Sequence, residues 1–124
     1  MSGASLYERI GGEIAMMAAI DLFYEKVLAD DVTRPFFEGT DMDLQARKQV
    51  SFMSWAFGGP KEYRGRDLRA AHAHLVEEQG LSDLHFEAVT KHLEATLREL
   101  GIADDLVREA LALIDDTRAQ VLNR

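Results

Sequence analysis

The sequence predicts an all-α protein, and two observations lead to this prediction. Apolar residues recur at helical spacing along most of the 124 residues. No stretch alternates cleanly between apolar and polar residues, as a half-buried strand would. The pairs Gly11-Gly12 and Gly58-Gly59 interrupt the helical pattern and divide it into separate helices. We expect one domain that spans residues 1–124.

The first two helices follow from a start signal and from one apolar face. Ser5, with Glu8 three residues later, has the pattern of a capping box and predicts a short helix that Gly11-Gly12 ends. A second helix is expected over about 13–28. Its inward face consists of Ile20, Tyr24 and Val27.

A corner and a third helix come next. A brief turn is expected to end near Phe37. Either Asp41 or Asp43 caps the following helix. That helix runs to about Phe57, because the run Gly58-Gly59-Pro60 stops it.

The C-terminal half predicts a loop and three helices. Residues 61–66 have no apolar period and are expected to form the loop, and a helix follows over about 67–79. Ser82 or Asp83 caps a long helix. Its inward stripe is Phe86, Val89, Leu93, Leu97 and Leu100. One continuous last helix is expected over about 103–122. Its inward residues are Leu106, Ala110, Leu113, Ile114 and Val121.

The composition excludes several classes of protein. The chain has no cysteine, which excludes a disulfide framework, a thiolate zinc site and an iron–sulfur cluster. The net charge of −8 disfavours binding to nucleic acid or to an anionic membrane surface. No apolar run is long enough to span a membrane, and residues 1–10 lack the pattern of a signal peptide. We therefore expect a cytoplasmic protein without a membrane anchor.

Two glutamines break the apolar stripe of the third helix. Gln45 and Gln49 share one face with Phe52, Met53 and Ala56. A buried amide needs a hydrogen-bond partner. Either a polar ligand binds beside these side chains, or this end of the helix is solvated.

One histidine lies on an apolar helix face. His72 lines up with Leu68, Leu75 and Val76, whereas His74 points to another side of the helix. His72 is therefore either a core histidine with a backbone partner or a ligand-binding residue. No second histidine or carboxylate stands at a spacing that would complete a metal site with it.

Tyr24 is the third unusual inward residue. A buried phenol needs a hydrogen-bond partner, which is either a backbone carbonyl or a ligand. His85 lies in the first turn of the long helix and His92 lies beside its apolar stripe, and for both we expect surface exposure or ordinary packing.

Taken together, these features resemble the pocket of a globin, and the sequence resembles the truncated haemoglobins of group I over nearly its whole length. The matching segments are 6–12, 23–28, Phe36-Phe37, 40–42, 48–50 with Phe52, 57–60, and Ala71-His72. The resemblance implies a two-over-two helical sandwich that holds haem b. Some relatives attach the haem through a histidine in the last helix, where this chain has Thr117, so we expect non-covalent attachment.

The resemblance also implies roles for individual residues. His72 is expected to be the proximal iron ligand. Tyr24, Gln45 and Gln49 are expected to be the distal hydrogen-bonding, catalytic residues. The implied cofactor contacts are Phe23, Phe37, Lys48, Phe52, Met53, Tyr63, Leu75 and Val76.

Two of these contacts carry a further expectation. Lys48 is expected to meet a haem propionate or, when deprotonated, to bind the iron as a sixth ligand. Met53 falls where group I members line an apolar gas tunnel.

Functions of different classes stay open at this point. The resemblance implies that the iron, five-coordinate or reversibly six-coordinate, binds O2, NO and CO in an oxygen carrier or sensor. Three hydrogen-bond donors would hold O2 tightly, which suits a redox enzyme better. Such an enzyme would be an NO dioxygenase or a peroxidase that depends on a reductase. The third interpretation is a helical interaction module without haem.

Overall fold

The computed structural model describes residues 4–59 and 65–124, and every regular element within these ranges is a helix. The α-helices are α1 (Leu6–Ile10), α2 (Gly12–Ala29), α3 (Met42–Ala56), α4 (Gly65–Gln79), α5 (Asp83–Glu99), α6 (Asp104–Asp115) and α7 (Arg118–Val121). A 3-10 helix at Arg34–Phe37 forms the corner between α2 and α3. The all-α prediction is confirmed.

The predicted start and end of α1 are both present. The Ser5 side chain accepts a hydrogen bond from the Glu8 N–H at 3.2 Å and so caps the helix. Gly11 ends α1 with φ of 132°, a conformation that residues with a Cβ rarely adopt. The chain therefore changes direction at this glycine, and α2 begins with the next residue.

Gly59 lets α1 approach the end of α3 closely. A Cβ placed on Gly59 would lie 2.8 Å from the Ser54 carbonyl oxygen and 2.8 Å from Cγ of Tyr7. The Tyr7 N–H also donates to the Phe57 carbonyl at 2.9 Å. The second glycine pair therefore has a packing role in addition to stopping α3.

Two helix pairs form the body of the protein. Helix α2 packs against α3, α5 packs against α6, and the two pairs meet where α2 contacts α5. This is the predicted two-over-two arrangement. The predicted inward face of α2 is buried, with Ile20 2%, Tyr24 6% and Val27 0% exposed. Leu93 and Leu97 of α5 and Val107 and Ala110 of α6 join it in one core.

The prediction of one continuous last helix is wrong. Helix α6 ends at Asp115 and α7 begins at Arg118, because the buried Thr117 forms a tighter turn between them. The Thr117 N–H donates to the Ile114 carbonyl at 2.9 Å, and the Thr117 hydroxyl donates to the same oxygen at 2.6 Å. A hydroxyl that bonds back to the preceding turn competes with the helical bond and bends the chain.

The start of α4 differs from the prediction, and the structure decides which aspartate caps α3. Helix α4 begins at Gly65, two residues before the predicted start, and residues 61–64 of the predicted loop lie outside the described residues. Asp41, rather than Asp43, caps α3. Within the described ranges, every helix falls short of the length and apolar character needed to cross a bilayer.

Candidate haem site

A mostly apolar cavity of about 150 Å³ lies among α3, α4 and α5. The 3-10 helix, α6, Thr117 and α7 complete its walls. Most lining side chains are aliphatic or aromatic. The polar side chains in the described lining are Thr33, Gln49, His72, His85, Thr90 and Thr117. The lining therefore suits an apolar group that needs only a few polar contacts.

His72 enters the cavity from α4 with a defined tautomer. Its Nδ1 lies 2.8 Å from the Leu68 carbonyl oxygen. Because a carbonyl only accepts, Nδ1 carries the hydrogen, and Nε2 keeps a lone pair. Burial lowers the pKa of His72 by more than its bond to Leu68 raises it, so the imidazole is neutral near pH 7. The expected backbone partner exists, and it leaves Nε2 available to a metal.

Tyr24 lies directly behind one wall of the cavity. The Gln45 Nε2 donates to the Tyr24 hydroxyl oxygen at 3.2 Å, so the observed partner is a side chain, which neither alternative from the sequence named. Burial raises the pKa of Tyr24 to about 12. The Tyr24 ring meets Phe37 edge-on, with 5.6 Å between the ring centroids, and Phe37 lines the cavity.

About half of the residues expected at the site line the cavity. These are Phe37, Gln49, Phe52, Met53, His72 and Leu75. The lining does not include Phe23, Tyr24, Gln45, Lys48 or Val76. Phe23 and Tyr24 are buried in the core, and Lys48 is exposed on α3. Tyr63 lies outside the described residues.

His85 is a cavity residue that the sequence did not single out. Its Nδ1 accepts the Ser82 N–H at 3.0 Å, and its ring lies edge-on to Phe36 with 4.9 Å between centroids. The expected ordinary packing is therefore present, but the side chain also lines the cavity. The sequence offers one signal for a place in the cavity: His85 directly precedes Phe86, the first residue of the apolar stripe.

The donor set of the cavity fits haem. The cavity offers two imidazoles, His72 and His85, and the described residues contain no group of three or more histidine or carboxylate side chains that could hold a bare metal ion. Haem iron brings its own porphyrin nitrogens and needs one axial ligand from the protein. Neutral His72, with Nε2 unprotonated, has the chemistry that such a ligand requires.

Known proteins share both this sequence and this architecture. A sequence model of the bacterial-like globins matches residues 5–123. The group 1 truncated haemoglobin of Tetrahymena pyriformis is 43% identical over 120 residues, which cover 97% of this chain and 96% of that protein. The group 1 truncated haemoglobin GlbN of Synechocystis is 46% identical over 110 residues, or 89% of each chain.

A solved structure gives the same result in three dimensions. It is the 2/2 haemoglobin from Synechococcus, in the cyanomet state and with covalently attached haem. It matches this fold with a TM-score of 0.92 and 46% identity, covering 98% of this chain and 100% of that one. Because the likeness extends over nearly the whole length in sequence and in fold, this chain belongs to the group 1 truncated haemoglobins.

Proposed function

We propose that this truncated haemoglobin holds haem b non-covalently through His72 and binds O2, NO and CO. The observation that carries the proposal is the 2.8 Å bond between His72 Nδ1 and the Leu68 carbonyl, which leaves Nε2 unprotonated in an apolar cavity. Ferrous haem supplies the iron that binds a diatomic gas.

The proximal side depends on how Leu68 orients His72. A ligating imidazole whose other nitrogen donates to a carbonyl is fixed in tautomer and in ring orientation. Leu68 is itself only 2% exposed, so the carbonyl that accepts this bond belongs to a well-packed residue. Burial also keeps the imidazole neutral, as coordination requires.

On the distal side, two glutamines and a tyrosine supply hydrogen bonds. Gln49 lines the cavity directly. Tyr24 accepts the Gln45 N–H, so its own O–H is not used in that bond and can be donated to a gas ligand. Phe52 and Met53 give this part of the cavity its apolar surface.

Lys48 is better placed for a haem propionate than for the iron. It is exposed on α3, and an exposed ammonium can pair with a carboxylate at the mouth of the cavity. Binding of the iron would require the Lys48 side chain to reach into the cavity, whose described lining it does not join. We therefore infer a propionate contact rather than an iron bond for Lys48.

Thr117 supports non-covalent attachment. It lines the cavity with a hydroxyl that already donates to the Ile114 carbonyl at 2.6 Å. A threonine offers no imidazole for a bond to the haem. The haem would then be held by the His72–iron bond, by apolar contacts and by the propionate contact of Lys48, without a covalent bond to its porphyrin.

Replacement of His72 tests the proposal. We expect His72→Ala to abolish stoichiometric haem uptake, whereas His74→Ala, which changes an exposed histidine two residues along α4, retains it. The measurement is haem titration followed by absorption spectra of the ferric, ferrous and CO forms. Free imidazole should restore haem retention in His72→Gly. Equal uptake and equal spectra in wild type and His72→Ala would refute the role of His72.

NO dioxygenation is a second candidate, favoured by the pairing of Tyr24 with Gln45 beside an apolar cavity. Donors that hold O2 tightly impair a carrier, which must release its cargo, but not an enzyme that consumes O2. The net reaction joins NO and O2 with one electron from a reductase to give nitrate.

Sustained turnover separates this enzyme from a carrier. We expect the O2-saturated ferrous protein, given a reductase and NADH, to convert successive additions of NO to nitrate in equal amount. The measurement is NO consumption by electrode together with nitrate analysis. Loss of NO consumption after a single equivalent in the presence of the reductase would favour the carrier or sensor.

A further inference from the structure

The segment that follows α7 joins α4 to the start of α5. On the α4 side, the Arg69 guanidinium donates to the Arg124 carbonyl oxygen at 2.9 Å, and the Asn123 Nδ2 donates to the Arg69 carbonyl oxygen at 3.1 Å. Arg69 directly follows Leu68, whose carbonyl accepts the His72 Nδ1–H at 2.8 Å. The segment after α7 therefore holds α4 within the same turn that orients His72.

The backbone after α7 adopts a conformation that makes both contacts possible. Asn123 has φ of 57° and is the one residue other than glycine with a positive φ in the described ranges. Residues with a Cβ seldom adopt this conformation, and asparagine is among those that tolerate it best. The Arg124 N–H donates to the Ala119 carbonyl at 2.8 Å and closes the turn. The turn brings the Asn123 side chain and the Arg124 carbonyl to the same residue of α4.

On the α5 side, one carboxylate binds two arginines. Asp83, the first residue of α5, accepts two bonds from the Arg124 guanidinium, at 2.7 and 3.0 Å, and one from Arg118 at 2.8 Å. These bonds from Arg124 and Arg118 lower the pKa of the Asp83 carboxyl, so it stays ionised near neutral pH. The Arg118 guanidinium also lies over the Phe86 ring, 4.7 Å from its centroid. Because Phe86 belongs to the core, the segment is anchored to a firmly packed helix.

These contacts matter more for α4 than for the core. The side chains of Asp83 and Arg124 are about half exposed, and exposed ion pairs contribute little to overall stability. The core helices have many buried apolar contacts that do not depend on them. Helix α4, in contrast, has Leu68 as its one fully buried side chain among those described. The bonds to the segment after α7 are therefore a large share of what fixes the position of α4.

We propose that Asp83 and Arg124 are positioning residues for the iron ligand. Through the segment after α7 they fix the turn of α4 that contains Leu68, and so the direction in which the His72 imidazole points. Neither residue belongs to the described lining of the cavity. The inference rests on the proposed function, because it takes His72 as the ligand of the haem iron.

The variant Asp83→Asn tests this role, with the iron–histidine stretching band of the ferrous, gas-free protein as the readout. We expect resonance Raman spectra to show a shifted and broader band, because the imidazole is held less firmly. Haem dissociation, followed by transfer to apomyoglobin, should become about fivefold faster, the effect of one exposed ion pair. Arg124→Gln should reproduce both changes, and the double variant should add little, because the two residues act as one pair.

Asp104→Asn is the matched control. Asp104 is the first residue of α6 and also pairs with two arginines, Arg98 and Arg108, neither of which belongs to α4. This variant should keep the wild-type band and the wild-type rate of haem dissociation. Hydrogen exchange of the haem-free protein gives a readout without haem. We expect the amides of α4 to exchange about fivefold faster in Asp83→Asn than in wild type, with those of α2 unchanged.

The outcomes separate this inference from the proposed function. A wild type that takes up haem but shows no iron–histidine band would refute the role of His72, and the positioning role with it. A wild-type band that stays unchanged in both Asp83→Asn and Arg124→Gln would overturn the positioning role alone. Exchange of the α4 amides at the wild-type rate in both variants would also overturn it, as would an equal band shift in Asp104→Asn.

Discussion

At the scale of single residues, the proposed role of Tyr24 in gas binding depends on the direction of its hydrogen bond with Gln45. Gln45 donates to the phenol oxygen, and this leaves the phenol hydrogen for another acceptor. Burial raises the pKa of Tyr24 to about 12, so the hydrogen is present far above neutral pH. The apolar surroundings that raise this pKa also strengthen a hydrogen bond from Tyr24 to a polar ligand.

Removal of that hydroxyl should speed the release of O2. Donors to a partly anionic ligand are worth more than neutral hydrogen bonds, so we expect Tyr24→Phe to raise the O2 dissociation rate about 10- to 100-fold. The rate is measured by displacement of O2 with CO in a stopped-flow instrument. Tyr7→Phe, which removes a hydroxyl outside the described cavity lining, is the matched control and should stay at the wild-type rate.

The same pKa fixes the pH dependence of this rate. A raised pKa means that the donating, protonated form persists beyond the usual range of tyrosine, so wild-type O2 dissociation should be flat up to about pH 10. If the O2 dissociation rate of Tyr24→Phe differs from that of wild type by less than threefold, Tyr24 does not have the proposed role. A wild-type O2 dissociation rate that increases as the pH rises from neutral to about 10 would contradict the raised pKa of Tyr24.

The sequence located His72 and Tyr24 but could not choose between their alternative partners. Helical spacing places both side chains inward, and burial confirms it for Tyr24. The partner of each depends on the geometry of one polar atom, which residue spacing does not determine. His85 shows the same limit: its neighbours predict packing, and only the three-dimensional arrangement shows that it lines the cavity.

At the scale of helices, the start of α3 positions Gln45. The Asp41 side chain accepts hydrogen bonds from the N–H groups of Asp43 and Leu44, at 3.1 and 3.2 Å. The Asp41 carbonyl receives the Gln45 N–H at 2.9 Å. Gln45, which holds Tyr24, therefore lies in the first turn that this cap stabilises.

Loss of this cap should destabilise the protein and loosen Gln45. We expect Asp41→Ala to lower the free energy of unfolding by about 1 kcal/mol, the usual value of an N-cap, with Asp41→Asn close to wild type because it keeps the accepting oxygen. Urea denaturation followed by circular dichroism measures this difference. Equal stability of Asp41→Ala and wild type would show that the first turn of α3 is held by other contacts.

Helix existence was predictable, but the break in the last helix was not. The apolar stripes of α2 and α5 are strong signals, and their central residues are buried as expected. The break at Thr117 depends on a hydroxyl bonded to Ile114 in a sequence whose neighbours continue the helical pattern. The stripe residues Phe86, Val89 and Leu93 partly line the cavity, a role that the stripe alone cannot distinguish from helix packing.

At the scale of the whole molecule, the helices differ in how firmly they are attached. Helices α2, α5 and α6 share one core, in which Val27, Leu97, Val107 and Ala110 are completely buried. Helix α4 packs chiefly against α7, and Leu68 is its one fully buried side chain among those described. Its remaining apolar face, with His72 and Leu75, borders the cavity. A group that fills the cavity therefore contributes a large share of the contacts of α4.

Haem removal should consequently loosen α4 before the rest of the fold. Any ligand that binds only the folded state stabilises it, so with haem at about 100 times its Kd we expect the Tm to fall by about 10 °C on removal. Hydrogen–deuterium exchange should locate the change. Amides of α4 should lose at least about tenfold protection in the haem-free protein, while those of α5 and α6 keep most of theirs.

The variant His72→Ala separates filling of the cavity from bonding to iron. In this variant the haem-free exchange pattern should match that of haem-free wild type, and added haem should restore little protection to α4. Equal protection of α4 with and without haem in wild type would show that α7 alone holds this helix. Equal restoration in the variant would show that apolar contact, without the His72–iron bond, is enough to order it.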